Sequence, residues 1–246
     1  MSSPQNILYD PQGIAYCGTP PTTDTIVSSW NFDPPLLIAL GVFAYCIFNY
    51  TKSPVCGWSA FALAVLIFVS PLCSLSSALF SARVVHHVIL IAAIAPLIIK
   101  SFPQLRIPLN IPSAFLFALH MIVLWIWHAP MPYVWALSTV GGYWFMQATL
   151  FLTAAGLWYA IFQHGKGTSI MLLLGTVAQM GLLGALIVFA PEALYSVHEG
   201  TTIPWGLTQI EDQQLAGLIM WLPAILPYFI FAMTTGWDYL REDQPA

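Results

Sequence analysis

Seven apolar segments divide the 246-residue chain and constrain its fold more than any other feature. They are centred approximately on residues 35–51, 58–76, 84–100, 111–129, 143–163, 169–190 and 213–236. Each is close to the roughly 20 residues that an α-helix needs to cross the hydrocarbon of a bilayer. Only 7% of the residues are charged and 59% are apolar, too few charges to coat a water-soluble surface. The pattern predicts an all-α integral membrane protein, a bundle of seven transmembrane helices surrounded by lipid.

The predicted bundle takes up almost the whole chain. Residues 1–33 are polar and rich in Pro, Thr and Ser, which indicates an irregular extracytoplasmic tail lying on the membrane surface. Residues 34–237 are expected to form the seven-helix transmembrane domain, and residues 238–246 a cytoplasmic C-terminal tail. The N-terminus lacks the basic region and apolar stretch of a signal peptide, so we expect the spans themselves to direct insertion.

Charge and cysteine content exclude some classes of function. The net charge of −4 and the lack of a basic stripe exclude nucleic acid as a natural partner. The four cysteines are Cys17, Cys46, Cys56 and Cys73. They form no C-x-x-C pair, and cysteines scattered in this way are interpreted as small packing residues rather than as metal ligands.

The basic residues predict the orientation in the membrane. If the spans alternate, five of the six fall on one side: Lys52, Lys100, Arg106, Lys166 and Arg241. Only Arg83 falls on the other side. Since Lys and Arg are retained on the cytoplasmic side, the bias places the N-terminus outside an inner (plasma) membrane and the C-terminus in the cytoplasm.

Arg83 breaks this charge rule and lies among other polar residues. Arg83 and His87 are four residues apart and therefore share one face of a helix, with His86 about a quarter turn away. His128 ends the fourth predicted span and Asp212 begins the seventh, both at the same depth. Two structural explanations stay open: an arginine that extends to phosphate headgroups, and an acid placed to suit the helix dipole.

Such a cluster from three helices is typical of a metal, haem or partner-docking site in a membrane protein. Neutral imidazoles suit copper, haem iron or zinc, so His87, His128 and His86 are the candidate metal ligands. We also expect an ion pair between Arg83 and Asp212, because each is otherwise a charge close to hydrocarbon. No nucleophile–base pair or phosphate loop points to an enzyme.

Several short segments carry a family resemblance. In order they are WNFDP at 30–34, SPL at 70–72, FSA at 80–82 followed by His87, APL at 95–97, WHAP at 127–130 and DQQLAGLIMW at 212–221. Together they resemble the CtaG family of cytochrome c oxidase assembly factors, the seven-span bacterial type. The resemblance implies a non-enzymatic role in maturing a haem–copper oxidase. The chain would bind copper transiently to aid its delivery to the catalytic subunit, or would dock that subunit, at the outer membrane face.

Carried over residue by residue, the resemblance nominates His87, His128, Asp212 and Gln213. Two features depart from the family pattern. That pattern favours a histidine at the position of Arg83 and further histidines before the fifth predicted span, where residues 142–148 read GYWFMQA. These departures favour an alternative, a non-catalytic structural subunit of a respiratory membrane complex that has lost metal binding.

Overall fold

The computed structural model of the chain describes residues 16–104 and 111–242. Asp10 and Arg106 lie outside the described residues. All regular structure within these ranges is helical. The α-helices are α1 (Pro34–Tyr50), α2 (Pro54–Phe68), α3 (Pro71–Ala78), α4 (Phe80–Val88), α5 (Ala95–Ser101), α6 (Ser113–His128), α7 (Pro130–Ser138), α8 (Val140–Gln163), α9 (Lys166–Val188), α10 (Gln209–Trp221) and α11 (Leu226–Glu242). The last of them continues through the first five residues of the expected C-terminal tail.

Local sequence explains where many of these helices begin. Proline occupies the first position of α1, α2, α3 and α7, where a missing N–H leaves no hydrogen bond unmade. Thr139 caps α8 by accepting a hydrogen bond from the Gly142 N–H. Thr208 and Glu211 cap α10 reciprocally, each side chain accepting from the other residue's backbone N–H. The polar residues between the apolar segments therefore act as helix start signals.

Within the described residues, four helical stretches are long and apolar enough to cross a membrane. They are Phe80–Ser101, Val140–Gln163, Lys166–Val188 and Gln209–Arg241. Two bent pairs raise the number to six if each pair is one span: α2 with α3, bent by 47°, and α6 with α7, bent by 76°. The apolar helix α1 is shorter, at 17 residues. The chain is thus an all-helical membrane protein with four to six candidate spans, and each predicted apolar segment contains one helix or one helix pair.

The surface of the bundle suits lipid. Large apolar side chains such as Phe48, Leu152, Met171 and Ile230 are exposed along the sides of the helices. In water a continuous apolar surface of this kind would drive association, whereas hydrocarbon solvates it at no cost. The interior nevertheless holds several buried polar side chains, including three histidines of the candidate site.

Helices α9 and α10 approach each other more closely than side chains would allow. A Cβ added at Gly184 would lie 2.9 Å from the Gly217 carbonyl oxygen, and one at Gly217 would lie 2.7 Å from the Gly184 carbonyl oxygen. Small residues permit such backbone contact between membrane helices, which is a main source of their association. We call this contact the glycine seam.

A π-helical segment, Ile89–Ile94, joins α4 to α5. Such segments widen the helix and leave carbonyl groups without their usual partners. The Trp158 indole N–H donates to the Ile91 carbonyl at 2.9 Å and so satisfies one of them. Pro96 follows directly, at the start of α5. The third predicted span is therefore one helical stretch with an irregular centre, located just after the two adjacent histidines.

The N-terminal tail is fastened to the bundle by a disulfide between Cys17 and Cys73. The interpretation of the cysteines as packing residues is therefore wrong for this pair, while Cys46 and Cys56 are free. Two further contacts hold the tail: the Asn31 N–H donates to the Val69 carbonyl at 2.9 Å, and the Trp205 indole donates to the Pro21 carbonyl at 3.1 Å. We call this end of the bundle the disulfide end.

Candidate functional site

The first turn of α4 is held by a carboxylate from another helix. Leu79 has an extended backbone (φ −122°, ψ 130°) that separates α4 from α3 and leaves the first N–H groups of α4 without helical partners. Asp212, in the first turn of α10, accepts hydrogen bonds from the Phe80 N–H at 2.7 Å and the Ser81 N–H at 3.2 Å. The Ser81 hydroxyl donates to the same carboxylate. Asp212 thus caps α4 from a distance of more than 130 residues in sequence.

This arrangement replaces the predicted ion pair. The guanidinium of Arg83 makes no hydrogen bond to Asp212, and the polar groups that interact with it are the hydroxyls of Tyr133 and Tyr143. Its carbon instead lies over the ring of Tyr143, 5.3 Å from the centroid. The expectation of an ion pair is therefore wrong for this structure: the orphan N–H groups at the start of α4 bind the carboxylate, and Arg83 stays buried with 1% of its surface exposed.

The structure brings the three candidate histidines together. The ring centroids of His86 and His87 are 5.9 Å apart, and those of His87 and His128 are 6.0 Å apart. All three are buried, and Gln147 from α8 closes the group with its amide nitrogen 3.4 Å from Nε2 of His87. We call Arg83, His86, His87, His128 and Gln147 the Arg83 cluster.

The hydrogen bonds determine which imidazole nitrogens are bare. Nδ1 of His128 lies 2.7 Å from the Leu124 carbonyl oxygen, which can only accept, so Nδ1 carries the proton. The lone pair of Nε2 then has no hydrogen-bond partner. Nδ1 of His87 also lacks a partner within the described residues, whereas the His86 ring interacts with the Ile67 backbone. A buried imidazole with a bare nitrogen is uncommon, because an unmade hydrogen bond in the interior costs about 1–3 kcal/mol.

Gln213, the fourth residue nominated by the resemblance, is not part of the Arg83 cluster. It hydrogen-bonds to the end of α9 and to the loop that follows it. Its amide oxygen accepts from the Leu194 N–H at 2.6 Å, and its nitrogen donates to the carbonyls of Ile187 and Glu192 at 3.2 and 3.4 Å. These bonds tie the end of α9 to the start of α10. The residue has a complete structural explanation.

A second polar network at the disulfide end has no counterpart in the sequence argument. The Tyr133 hydroxyl lies 2.8 Å from Nε2 of His198, and Nδ1 of His198 lies 3.2 Å from the Ala78 carbonyl oxygen. Since Nδ1 must donate to that carbonyl, Nε2 accepts from the tyrosine. Burial, followed by the nearby charge of Arg83, lowers the pKa of His198 to about 3. His198 lies in the loop between α9 and α10, where no periodic pattern marks it.

Two aromatic residues, Phe80 and Tyr195, connect this network to His128. Phe80 stacks on Tyr195 with ring centroids 3.9 Å apart, and the Tyr195 hydroxyl donates to the His128 carbonyl at 2.8 Å. The loop after α9 therefore packs directly against the end of α6. This fixes the backbone that positions the His128 ring.

Tyr16 covers the cluster on the side of the tail. Its ring stacks on Tyr143 with centroids 4.7 Å apart, and its hydroxyl donates to the Asp33 carboxylate at 2.7 Å. Burial and this hydrogen bond raise the pKa of the Tyr16 phenol, so it stays a donor at neutral pH. The Tyr143 hydroxyl lies 3.7 Å from the sulfur of Cys17. The disulfide thus keeps Tyr16 above the ring that faces Arg83.

His120 lies apart from the site. Its Nδ1 is 2.9 Å from the Thr153 hydroxyl, which joins α6 to α8. Single polar residues in membrane helices commonly make cross-helix hydrogen bonds of this kind.

Comparison with known proteins decides the family. The family model described as cytochrome c oxidase caa3 assembly factor (Caa3_CtaG) matches residues 51–242. The chain belongs to this family. No curated protein and no solved structure matches it. The matched range includes the whole Arg83 cluster and Asp212, and it leaves the tail with Cys17 outside.

Whether the Arg83 cluster of this Caa3_CtaG family member can bind a metal ion depends on the donor atoms of its side chains. No group of three His, Cys, Asp or Glu side chains in residues 16–104 and 111–242 is placed to hold one ion. The spacing of His87 and His128 suits an ion held by two ligands. An ion about 2 Å from one nitrogen of each ring would leave the ring centroids about 6 Å apart, which is their separation here. Two neutral imidazoles suit Cu(I), which accepts low coordination numbers, better than they suit zinc.

Proposed function

We propose that this protein is a non-enzymatic assembly factor for a haem–copper oxidase. It would hold Cu(I) transiently between His87 and His128 and pass it to the catalytic subunit. Membership of the Caa3_CtaG family supports the general role. One observation carries the finer proposal: the bare Nε2 of His128, buried at the disulfide end, belongs to a ring 6.0 Å from that of His87. His86 would extend the path of the ion on the other side of His87.

The proposed topology has seven spans, with the N-terminus outside. The bias of the basic residues supports this orientation. The cysteines support it independently, because disulfides persist in oxidising compartments and thiols in the cytoplasm. Cys17 and Cys73 are bonded at the disulfide end, whereas the free Cys46 and Cys56 flank the loop between α1 and α2 at the opposite end. The Arg83 cluster would then face the side on which an oxidase receives copper.

Each residue has a defined part in the proposed transfer. The Leu124 carbonyl holds the proton of His128 on Nδ1 and so directs the lone pair of Nε2 into the cluster. Gln147 positions His87, and a half-turn of its amide exchanges the N–H for an oxygen, which frees the other imidazole nitrogen. Two ligands bind more weakly than the three or four of a structural site, which suits a carrier that must release its metal.

The test is a deletion strain complemented with variants. If the proposal is right, the strain makes oxidase polypeptides whose catalytic subunit is low in copper and activity. His128→Ala and His87→Ala reproduce the defect while the amount of this protein in the membrane stays normal. His164→Ala is the matched control, because His164 follows the far end of α8 and its ring hydrogen-bonds to the Ala160 carbonyl, away from the cluster. Normal copper content in the deletion strain would refute the proposal.

The alternative is a structural subunit of a respiratory membrane complex. The buried charge of Arg83 beside the histidines, with no three-ligand group in the described residues, favours it. The two functions differ in what a deletion removes. Loss of a structural subunit lowers the amount of assembled complex and added copper restores nothing, whereas a weakened copper site refills when copper is raised.

A further inference from the structure

The charge of Arg83 is not balanced by hydrogen bonds from the described residues. A guanidinium has five N–H donors and is protonated at any physiological pH. Here it is 1% exposed, and none of its three nitrogens has a hydrogen-bond partner in residues 16–104 and 111–242. The ring face of Tyr143 supplies a cation–π contact, worth about 2 kcal/mol when desolvated, and the hydroxyls of Tyr133 and Tyr143 lie close enough to interact with the guanidinium, but none of these groups carries a negative charge. A buried charge that has lost its water normally has a partner that accepts its hydrogens.

Asp212, the acid of this site, already has hydrogen-bond partners. Asp212 accepts from two backbone N–H groups and one hydroxyl at the start of α4. Releasing it to Arg83 would leave those donors buried and unpaired. Arg83 therefore needs acceptors from outside this set.

Other atoms of the Arg83 cluster also lack hydrogen-bond partners within the described residues. Arg83 interacts electrostatically with His86 and His87, and His87 with His128. With the Gln147 N–H directed at Nε2 of His87, Nδ1 of His87 carries a proton that no group accepts. Nε2 of His128 and the Gln147 amide oxygen are bare acceptors. A ligand bound in the cluster could therefore accept from Arg83 and His87 and donate to His128 or Gln147.

We propose that the Arg83 cluster binds a small planar oxyanion of the carboxylate class. The two oxygens of such an anion match the fork of the guanidinium and can accept two parallel hydrogen bonds from it. A third donor is available at Nδ1 of His87. An anion that also carries a hydroxyl, as bicarbonate does, can donate to Nε2 of His128. Formate and bicarbonate are therefore the probes.

Burial limits the size of the ligand. The five residues of the cluster are each at most 4% exposed, and the disulfide-bonded tail places Tyr16 over Tyr143. Side chains this deeply buried are out of reach of a loop or terminus of another protein, so the ligand must be an anion of a few atoms. The proposal thus concerns a free small anion and not the carboxylate of a docked protein.

This inference does not rest on copper. It would nevertheless affect a copper site, because a cation bound between His87 and His128 adds positive charge close to Arg83, and a bound anion would offset it. The test uses metal-free protein, so its failure would leave the copper proposal standing, and the copper test can fail without affecting this one.

The experiment measures anion binding by the purified protein in mild detergent. Sodium formate replaces sodium methanesulfonate at constant ionic strength, and binding is followed by thermal unfolding and by titration calorimetry; bicarbonate is tested in the same way. The proposal predicts a saturable heat and a rise in Tm of roughly 5 °C at a large excess over Kd. Arg83→Met should abolish both responses. Arg241→Met, which removes an exposed arginine near the C-terminus, should retain both responses.

The variants also give a result without any anion. If the guanidinium charge is uncompensated without a bound anion, Arg83→Met should raise Tm in methanesulfonate, since the substitution removes that buried charge. Arg83→Lys covers the case in which the methionine variant does not fold: an ammonium cannot make the bidentate contact, and formate should bind at least tenfold more weakly. A rise in Tm that is equal in wild type and Arg83→Met would identify an adventitious anion only. A wild type that does not respond to either anion would overturn the proposal.

Discussion

The glycine seam and the Arg83 cluster lie in the same bundle and are built in opposite ways. At the seam, α9 and α10 touch through backbone atoms of Gly184 and Gly217, with no space for a methyl group. In the cluster, five polar residues are equally buried, yet eight of their side-chain nitrogen and oxygen atoms make no hydrogen bond of good geometry within the described residues. Packing is complete in one region, while polar pairing is incomplete in the other.

This difference separates stability from function in the molecule. Close backbone contact stabilises membrane helices by van der Waals attraction, and nothing at the seam asks for a ligand. Unpaired donors and acceptors destabilise a fold, and they persist where a ligand or a reaction uses them. The comparison predicts that changes at the seam affect only stability, and that changes in the cluster affect binding first.

The largest expected loss of stability comes from Gly217→Ala. The new Cβ would lie 2.6 Å from Val188 Cγ2 and 2.7 Å from the Gly184 carbonyl oxygen, and the backbone cannot yield without separating the helices. We expect the free energy of unfolding to fall by about 3 kcal/mol, measured by denaturant unfolding in mild detergent. Gly41→Ala is the control, because a Cβ there meets nothing within 4 Å. An equal loss in both variants would show that the seam is not closely packed.

The next effect tests the cap of α4. Asp212→Asn removes the negative charge that accepts from Phe80 and Ser81, and its amide N–H₂ would face donors. We expect a loss of about 2 kcal/mol, the range of hydrogen bonds to a charged group. Glu211→Gln, at the exposed neighbouring acid, should have a smaller effect. Hydrogen exchange at the first N–H groups of α4 would locate the loss, and unchanged protection there would contradict the capping role.

Much of the fold could be predicted from hydropathy, because long apolar segments identify the helices that lipid surrounds. Each of the seven apolar segments contains a helix or a helix pair. The separate helix α7 was not predicted, since Pro130 reads equally well as the end of a span and as the start of a new helix after a bend. The disulfide could not be predicted either. Cys17 and Cys73 are 56 residues apart, and such a spacing carries no signal in a chain with so few cysteines.

The sequence could predict which histidines belong to the candidate site, but it could not predict which groups Asp212 and His198 hydrogen-bond to. The spacing of Arg83 and His87 and the shared depth of His128 follow from helix geometry. That Asp212 binds the start of α4 depends on the break at Leu79, and a single extended residue leaves no trace in the periodicity. His198 was missed for a related reason: loop residues have no pattern from which their burial could be inferred.

A smaller effect concerns pH. The pKa of His198 is lowered from 6.5 to about 3 in the folded protein, so the unfolded chain takes up a proton first as the pH falls. Stability should therefore be full above pH 6.5 and decrease below it, by about 1.4 kcal/mol between pH 7.5 and 5.5 from this residue. His198→Gln can keep the bonds to Tyr133 and Ala78 but does not titrate. The loss on acidification should be smaller in this variant by that amount, and an unchanged pH dependence would contradict the assignment.

The smallest expected effect is the coupling between Arg83 and Asp212. An ion pair would make the two residues strongly non-additive, because removal of one partner would leave the other buried and unpaired. In this structure Asp212 serves the start of α4 and the guanidinium makes no hydrogen bond to it. Asp212→Asn should then lower the free energy of unfolding and Arg83→Met should raise it. The double variant should equal their sum within about 0.5 kcal/mol. Unfolding of the four proteins in one metal-free, carboxylate-free buffer measures this. A coupling above about 1 kcal/mol would show that the pair forms in solution, and it would remove the unbalanced charge that distinguishes the cluster from the seam.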